Sequence, residues 1–311
     1  MKLRAAVIGV GYLGNFHAQK YKALAEGEFK DQLELVGVCD VHTPQADLIA
    51  ASLGVRSFHR PQDLLGQVDL VTIATVTSQH FEVAQLFLQN RVHVNVEKPM
   101  TVTTEQAREL VALAKKMGVT LCVGQSERFN PVITEIRSRA IDIQSLELHR
   151  HAPYKSRGAD VSVIHDLMIH DLDLAVFLLG GRPKVVSAKA GRLLSPSWDW
   201  ARCELSFPNG KSAFISVSRM AAAMTRSVRV FASPRVYEGN LGTGDLTTIQ
   251  LKSQDIQQPP EVLVHNCGKG DNLLLETVAF LRAVRGDAQP LVSGEDGCLA
   301  VELVDQVLAL L

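Results

Sequence analysis

Asp166, His170 and Asp173 lie at i, i+4 and i+7 in the stretch VSVIHDLMIHDLDLAVFLLGG, residues 161 to 181. At about 100° per residue these positions share one face of a helix. Leu167, Leu174 and Leu178 take one flank, and Ile169, Leu172 and Val176 the other. Asp171 points roughly the opposite way, and His165 sits about a quarter-turn off. A solvated helix shows a broad polar face. Here a narrow ionisable stripe runs along a helix buried on both sides, so the stripe is expected to line a cleft. An imidazole one turn from a carboxylate suits proton transfer, because its unperturbed pKa lies near neutrality. A core histidine held by a neighbouring Asp, and a metal site, are the other readings of these residues. The two His are five apart, off one helical face, and no Cys cluster supports them, so no metal is expected.

A second constellation opens the chain. Gly9, Gly11 and Gly14 follow the apolar run LRAAVIGV in GxGxxG spacing, and a helical pattern with Leu13, Phe16, Tyr21 and Leu24 comes next. Strand, glycine turn, helix is the context in which this motif binds a dinucleotide. Gly9 permits the tight turn, Gly11 the approach of a pyrophosphate, and Gly14 the close packing of helix on strand. The helix N-terminus offers unpaired N–H groups to the anion. LELVGVCD, a second apolar run, ends in Asp40, placed to bond ribose hydroxyls and repel a 2′-phosphate. NAD is therefore expected rather than NADP; the alternative is that Asp40 only caps the following turn.

These groups need a frame. Residues 68–75 read as a buried strand, 78–90 as a helix, VHVNVEKP as a strand, 104–117 as a helix and VTLCVGQ as a strand. Such alternation implies a doubly wound parallel sheet, with ligands at the carboxyl ends of its strands. Asp40, Thr75, Glu97, Lys98 and Gln125 fall at those ends. A nucleotide-binding Rossmann domain over 1–124 follows. After residue 125 the rhythm is lost. Residues 145–152 alternate like a strand, and further strand-like runs cover 184–194, 200–207, 211–219 and 226–232, with the hairpin signal Asn209-Gly210 among them. DNLLLETVAFLRAVRG and the closing segment return to helix. Residues 125–311 are read as an α+β substrate-binding and oligomerisation domain on a largely antiparallel open sheet, whose closing helix packs back on the first domain.

Composition narrows the classes of function. Lys plus Arg is 32, Asp plus Glu 33 and net charge −1, which gives no attraction to nucleic acid or anionic membrane. No run of about 18 apolar residues is present, as a membrane helix would need. MKLRAAVIGVGYLG is too short and glycine-broken for a signal peptide. Five scattered cysteines without a CxxC pair suit reduced thiols in a cytoplasmic protein.

VIGVGYLGNFHA, TVTSQHFEVA, VHVNVEKPMT, VGQSERFNP and the closing VSGEDGCLAVELVDQVLALL resemble the glucose–fructose oxidoreductase and inositol dehydrogenase (Gfo/Idh/MocA) family over nearly the whole chain. The most specific mark is Glu97-Lys98-Pro99 at a strand end, followed by Asp166 and His170 as Asp-x-x-x-His. The resemblance implies NAD-dependent oxidation of a secondary hydroxyl. Lys98, Asp166 and His170 would be catalytic: Lys98 or His170 takes the proton, Lys98 steadies the developing oxyanion, and Asp166 orients the imidazole or holds the substrate. Asp173 is read as structural, pairing with the following turn. Tyr12, Leu13, His80 and Glu97 join the glycines, Asp40, Thr75, Lys98 and Gln125 as cofactor contacts. Glu127, Arg128, Asn130, Tyr154, Arg157 and Arg219 are expected to hold the substrate, Arg157 and Arg219 its diphosphate. Where the family has Pro and a small residue, this chain has Val76 and Met168. SERFNP, the 151–174 stretch and SVSR look like a subgroup that oxidises the 3-hydroxyl of UDP-N-acetylglucosamine, the keto sugar then being aminated for lipid A. A homo-oligomer, dimer or tetramer, through the open sheet face is implied as well. A simple-sugar or inositol dehydrogenase, and a dinucleotide-binding redox sensor without turnover, are the alternatives.

Overall fold

The computed structural model describes residues 2–155, 161–251 and 258–311; Arg157 lies outside the described residues. The chain divides into two compact units, one made of residues up to Ser126 with Leu273–Val301, the other of 127–272 with Glu302–Leu311. The expected boundary at 124/125 is two residues early.

The first unit holds β1 (Leu3–Ile8), β2 (Leu33–Cys39), β3 (Arg56–Phe58), β4 (Leu70–Ile73), β5 (His93–Glu97) and β6 (Leu121–Gly124). Between them run α1 (Tyr12–Glu26), α2 (Thr43–Leu53), α3 (Thr77–Gln89) and α4 (Thr104–Met117). All pairings are parallel, in the order β3-β2-β1-β4-β5-β6. Helices cover both sheet faces, which is why these strands read as continuous apolar runs. The order reverses between β1 and β4, and ligands of such sheets bind beyond the strand ends at that switch. α4 shows its local code fully: the Thr103 side chain accepts from Gln106 N, Lys115 and Lys116 sit in the last turn, and Gly118 ends the helix at φ +68°. α2 and β3 have no sequence counterpart above, because three residues, Arg-Ser-Phe, carry too little alternation.

α7 (Asn272–Val284) belongs almost wholly to this unit, where Phe280 and Leu281 join a core with Val7, Tyr21 and Leu35. So do the residues of α8 (Gly294–Ala309) up to Val301. The reading of 125–311 as one domain is corrected on that point.

The second unit contains α5 (Pro131–Arg139), β7 (Ile143–His151), α6 (Ile169–Leu179), β8 (Lys184–Gly191), β9 (Trp200–Ser206), β10 (Ser212–Ser218), β11 (Thr225–Ala232), β12 (Arg235–Asn240), β13 (Asp245–Gln250) and β14 (Glu261–Asn266). The sheet order is β14-β13-β12-β11-β7-β10-β9-β8. Only β7 and β10 run parallel. The β9–β10 hairpin turns at Asn209-Gly210, with Gly210 at φ +79°. α6 lies on β7 and is preceded by a π-helical turn, Ile164–Met168. That wider turn breaks the 100° wheel on which Asp166, His170 and Asp173 share a face.

Candidate active site

In the first unit the glycine turn is built for close approach. A Cβ on Gly9, at φ +80°, would come within 2.7 Å of the Ala74 and Thr75 backbone, and one on Gly14 within 1.7 Å of Gly9 O. A Cβ on Gly11 would meet nothing within 4 Å. Packing therefore demands the first and third glycines, while the second faces open space, as a pyrophosphate site requires. α1 has Gly11 at its N-cap, without a side-chain cap and with no acid in its first turn, which suits its N-terminus to an anion. Tyr12 and Leu13 are exposed there. Asp40 Oδ2 accepts from Val10 N at 2.8 Å and Oδ1 from His42 N at 2.9 Å. It thus caps the following turn and braces the glycine loop, and each oxygen keeps a lone pair for a ribose hydroxyl.

Thr75 is half-buried, but other residues expected around the cofactor brace the frame instead. His80 is buried with its ring nitrogens on Pro99 O (2.8 Å) and Thr75 O (3.1 Å), and burial pulls its pKa below the usual value. Gln125 is buried at the end of β6, its N–H on Val123 O. Glu97 is buried: Oε1 meets His17 Nε2 at 2.8 Å, and Oε2 accepts from Lys98 N at 3.2 Å. A Cβ on Gly124, which pairs with Glu97, would come within 2.8–2.9 Å of that carboxyl, so glycine is required beside it. Lys98 itself is half-buried at the strand end.

In the second unit Asp166 is exposed and His170 half-buried, while Asp171 and Asp173 are buried. Their partners correct the helical-wheel reading. Asp173 is held by Arg128 through Nε at 2.8 Å and Nη2 at 2.6 Å, not by the following turn. Asp171 accepts from Arg150 Nε (3.0 Å) and Nη2 (2.7 Å), and Arg150 Nη1 donates to Glu127 at 3.0 Å. Burial works against the Arg150 charge, and the charges of Asp171 and Glu127 outweigh it and raise its pKa. Asn130 caps α5 through Val132 N and donates to Leu241 O. Glu127, Arg128 and Asn130, expected at the sugar, are therefore buried supports of α5 and α6. Breaking such a buried pair typically costs about 3–5 kcal/mol.

Arg219, expected on a diphosphate, is buried as well. It donates to Val161 O and to Trp198 O (3.0 Å) and pairs with Asp199 at 3.5 Å. Asp199 in turn accepts from the backbone N–H groups of Leu193, Leu194 and Ser195. Burial would raise its pKa, but these donors and the Ser195 hydroxyl carry it well below the carboxylate range. The loop so clamped borders a cavity of about 330 Å³ lined by Ser162, His165, Arg192, Trp198 and Leu308 among others. The Arg192 guanidinium lies 4.2 Å over the Trp198 ring. Tyr154 is 40% exposed, so it remains reachable by a ligand.

Sequence reasoning missed His17, Arg150, Asp199 and Glu276. An HA pair three residues beyond Gly14 is a local signal for His17; the others are visible only through partners far along the chain.

A parallel sheet with this glycine turn and acid defines a dinucleotide-dependent oxidoreductase. Residues 3–125 match the model of the oxidoreductase family with an NAD-binding Rossmann fold, Gfo/Idh/MocA, and 134–235 match a C-terminal domain model of that family. The chain belongs to this family: it is an NAD-dependent dehydrogenase acting on CH–OH groups. It is 39% identical over 234 residues to UDP-N-acetylglucosamine 3-dehydrogenase of Acidithiobacillus ferrooxidans, covering 75% of this chain and 72% of that one. It is 26% identical over 326 residues to scyllo-inositol 2-dehydrogenase (NAD(+)) of Bacillus subtilis, covering 97% and 92%. A solved structure of the Acidithiobacillus ferrooxidans UDP-N-acetylglucosamine 3-dehydrogenase superposes with TM-score 0.91 at 33% identity, over 100% of this chain and 98% of that one. Levoglucosan dehydrogenase, solved with NADH and levoglucosan, shares the fold at TM-score 0.85 and 17% identity. Among the described residues no helix is long and apolar enough to cross a membrane.

Proposed function

We propose that the chain oxidises a ring hydroxyl of a nucleotide sugar, with the 3-hydroxyl of UDP-N-acetylglucosamine as the specific substrate. The observation that carries this reading is the 39% identity to an enzyme of that name over 72% of its length. The cavity beside the π-helical turn supports it: Trp198 offers a ring face to a base, and Arg192 a cation to phosphate. NAD, when bound, accepts the hydride. In this reading His170 takes the hydroxyl proton and Lys98 donates to the oxygen as charge develops. Asp166, one turn away, orients the imidazole. The reading includes a homo-oligomer built on the open face of the second sheet, where Trp200, Phe214 and Phe231 stay half-exposed.

The test is incubation with NAD and a panel of UDP-sugars, free sugars and inositols, with NADH absorbance for turnover and mass spectrometry for the ketone. Turnover of UDP-N-acetylglucosamine to a 3-keto product is expected. Turnover of inositols or free sugars alone would transfer the assignment to the inositol-type relatives. Lys98→Ala and His170→Ala should each lower turnover at least about a hundredfold with NAD still bound, the usual loss for a general base or an oxyanion donor. A His170→Ala protein that melts early yet turns over normally per folded molecule would return His170 to the core-histidine reading.

A further inference from the structure

Three buried ionisable groups meet beneath the end of β5. His17 comes from α1, Glu97 from β5 and Glu276 from α7, and their ligand atoms lie within 4.8 Å of one another. His17 Nε2 is 2.8 Å from Glu97 Oε1, and Asn95 Nδ2 donates to Glu276 Oε1 at 3.1 Å. Glu97 Oε2 accepts the backbone N–H of Lys98 at 3.2 Å. Among the described residues His17 Nδ1 and Glu276 Oε2 have no hydrogen-bond partner. Two hydrogen-bonded pairs, Asn95–Glu276 and His17–Glu97, thus lie side by side, and Glu97 carries the second pair on to the Lys98 backbone.

We infer that Glu276 is a positioning residue for Lys98, acting through the buried cluster it forms with His17, Asn95 and Glu97. The inference rests on Lys98 being the catalytic lysine. Charge balance is the physical reason. Burial disfavours the His17 cation, but the bond to Glu97 and the nearby carboxyls raise its pKa above the usual histidine value. His17 and Glu97 share one proton across their bond, and the pair is neutral whichever atom carries it. The groups facing Glu276 are His17 and Tyr21 from α1, Glu97 from β5 and Cys122 from β6. Of these only His17 can be a cation, and Glu97 already takes its charge. An ionised Glu276 would add a buried negative charge with nothing to compensate it. Burial, aided by Glu97, accordingly raises the Glu276 pKa to about 8. Oε1 is the acceptor for Asn95, so Oε2 is the atom that keeps the proton. Deprotonation would set two carboxylates against each other beside the strand end and loosen the bond that fixes the Lys98 backbone.

The folded chain holds the Glu276 proton to higher pH than the unfolded chain does, so this group's contribution falls as pH rises from the ordinary carboxylate range through about 8. His17, also raised, loses its contribution in the same direction.

The experiment compares wild type, Glu276→Gln, Glu276→Ala and Lys98→Ala in turnover from pH 6 to 10, NAD dissociation constant and thermal melts across the same range. Glu276→Ala should lower kcat at least tenfold with NAD affinity nearly unchanged. Glu276→Gln, neutral and isosteric, should restore kcat at pH 7. It should also lose the Glu276 part of the decline in kcat and melting temperature that wild type shows through pH 8, leaving only the shallower decline due to His17. A glutamine variant with the wild-type decline overturns the inference. Glu276→Ala with normal kcat per folded molecule and Lys98→Ala inactive overturns it alone; normal kcat in Lys98→Ala overturns the Lys98 reading with it. One equivalent of divalent metal in purified wild type, lost in Glu276→Gln, would mean that a cation and not a proton balances the cluster, and would overturn it too.

Discussion

Both units bury acids close to the groups expected to do chemistry, and they neutralise them differently. Beneath Lys98 two carboxyls, Glu97 and Glu276, meet one imidazole, His17, and burial beside Glu97 raises the Glu276 pKa to about 8, so a proton is what offsets the second acid. Behind His170 each acid of α6 has a guanidinium: Arg128 on Asp173, Arg150 on Asp171 and Glu127, with Arg226 3.5 Å from Glu127. Arg does not lose its proton in proteins, whereas a buried carboxylic acid titrates. Burial raises the Asp171 pKa even with Arg150 against it, so both frames hold a buried acid, but in the second a bidentate guanidinium and not a proton alone offsets the charge.

Three substitutions sharpen that contrast. Arg150→Met should have the largest effect. It strands Asp171 and Glu127 without their shared cation, and chemical denaturation at pH 7 should show about 3–5 kcal/mol of lost stability. Arg128→Ala removes two charge-assisted bonds to Asp173 and also vacates the Phe177 ring face, 4.7 Å from its guanidinium. A loss of about 3 kcal/mol, the lower end of the range for a buried pair because only one acid is left without its cation, is expected by the same measurement, together with a lower kcat, because α6 carries His170. Arg226→Ala should do least. Its side chain is 41% exposed and its contact long, so about 0.2–1 kcal/mol is expected, shrinking further in high salt. If Arg226→Ala matched Arg150→Met, the second unit would depend on total charge rather than on the buried bidentate geometry, and the contrast would fail.

The parts legible in sequence were those coded over a few residues. Gly9, Gly11 and Gly14 announced their turn because φ and close approach are local demands, and Asn209-Gly210 announced a hairpin for the same reason. The strands β1, β2, β4, β5 and β6 stood out as apolar runs because burial on both faces leaves no polar side. β3, at three residues, and β12 to β14, whose apolar and polar positions mix, carried no such pattern. The site divided along the same line. Lys98, Asp166 and His170 could be nominated from residue type at strand end and helix start. Glu127, Arg128, Asn130 and Arg219 looked like ligand contacts because a polar side chain in sequence does not disclose whether it faces a cleft or a core.

Local spacing determined the dinucleotide turn, the alternation of strands and helices and the helix with its ionisable start. Only the tertiary structure decided the partners of the buried charges: His17 with Glu97, 80 residues apart, and Asn95 with Glu276, 181 apart. It also returned α7 to the first unit. Backbone conformation is chosen by neighbours along the chain, within a turn or a strand pair. The cost of burying a charge depends instead on whatever the fold brings within a few ångströms, and no period in the sequence records that.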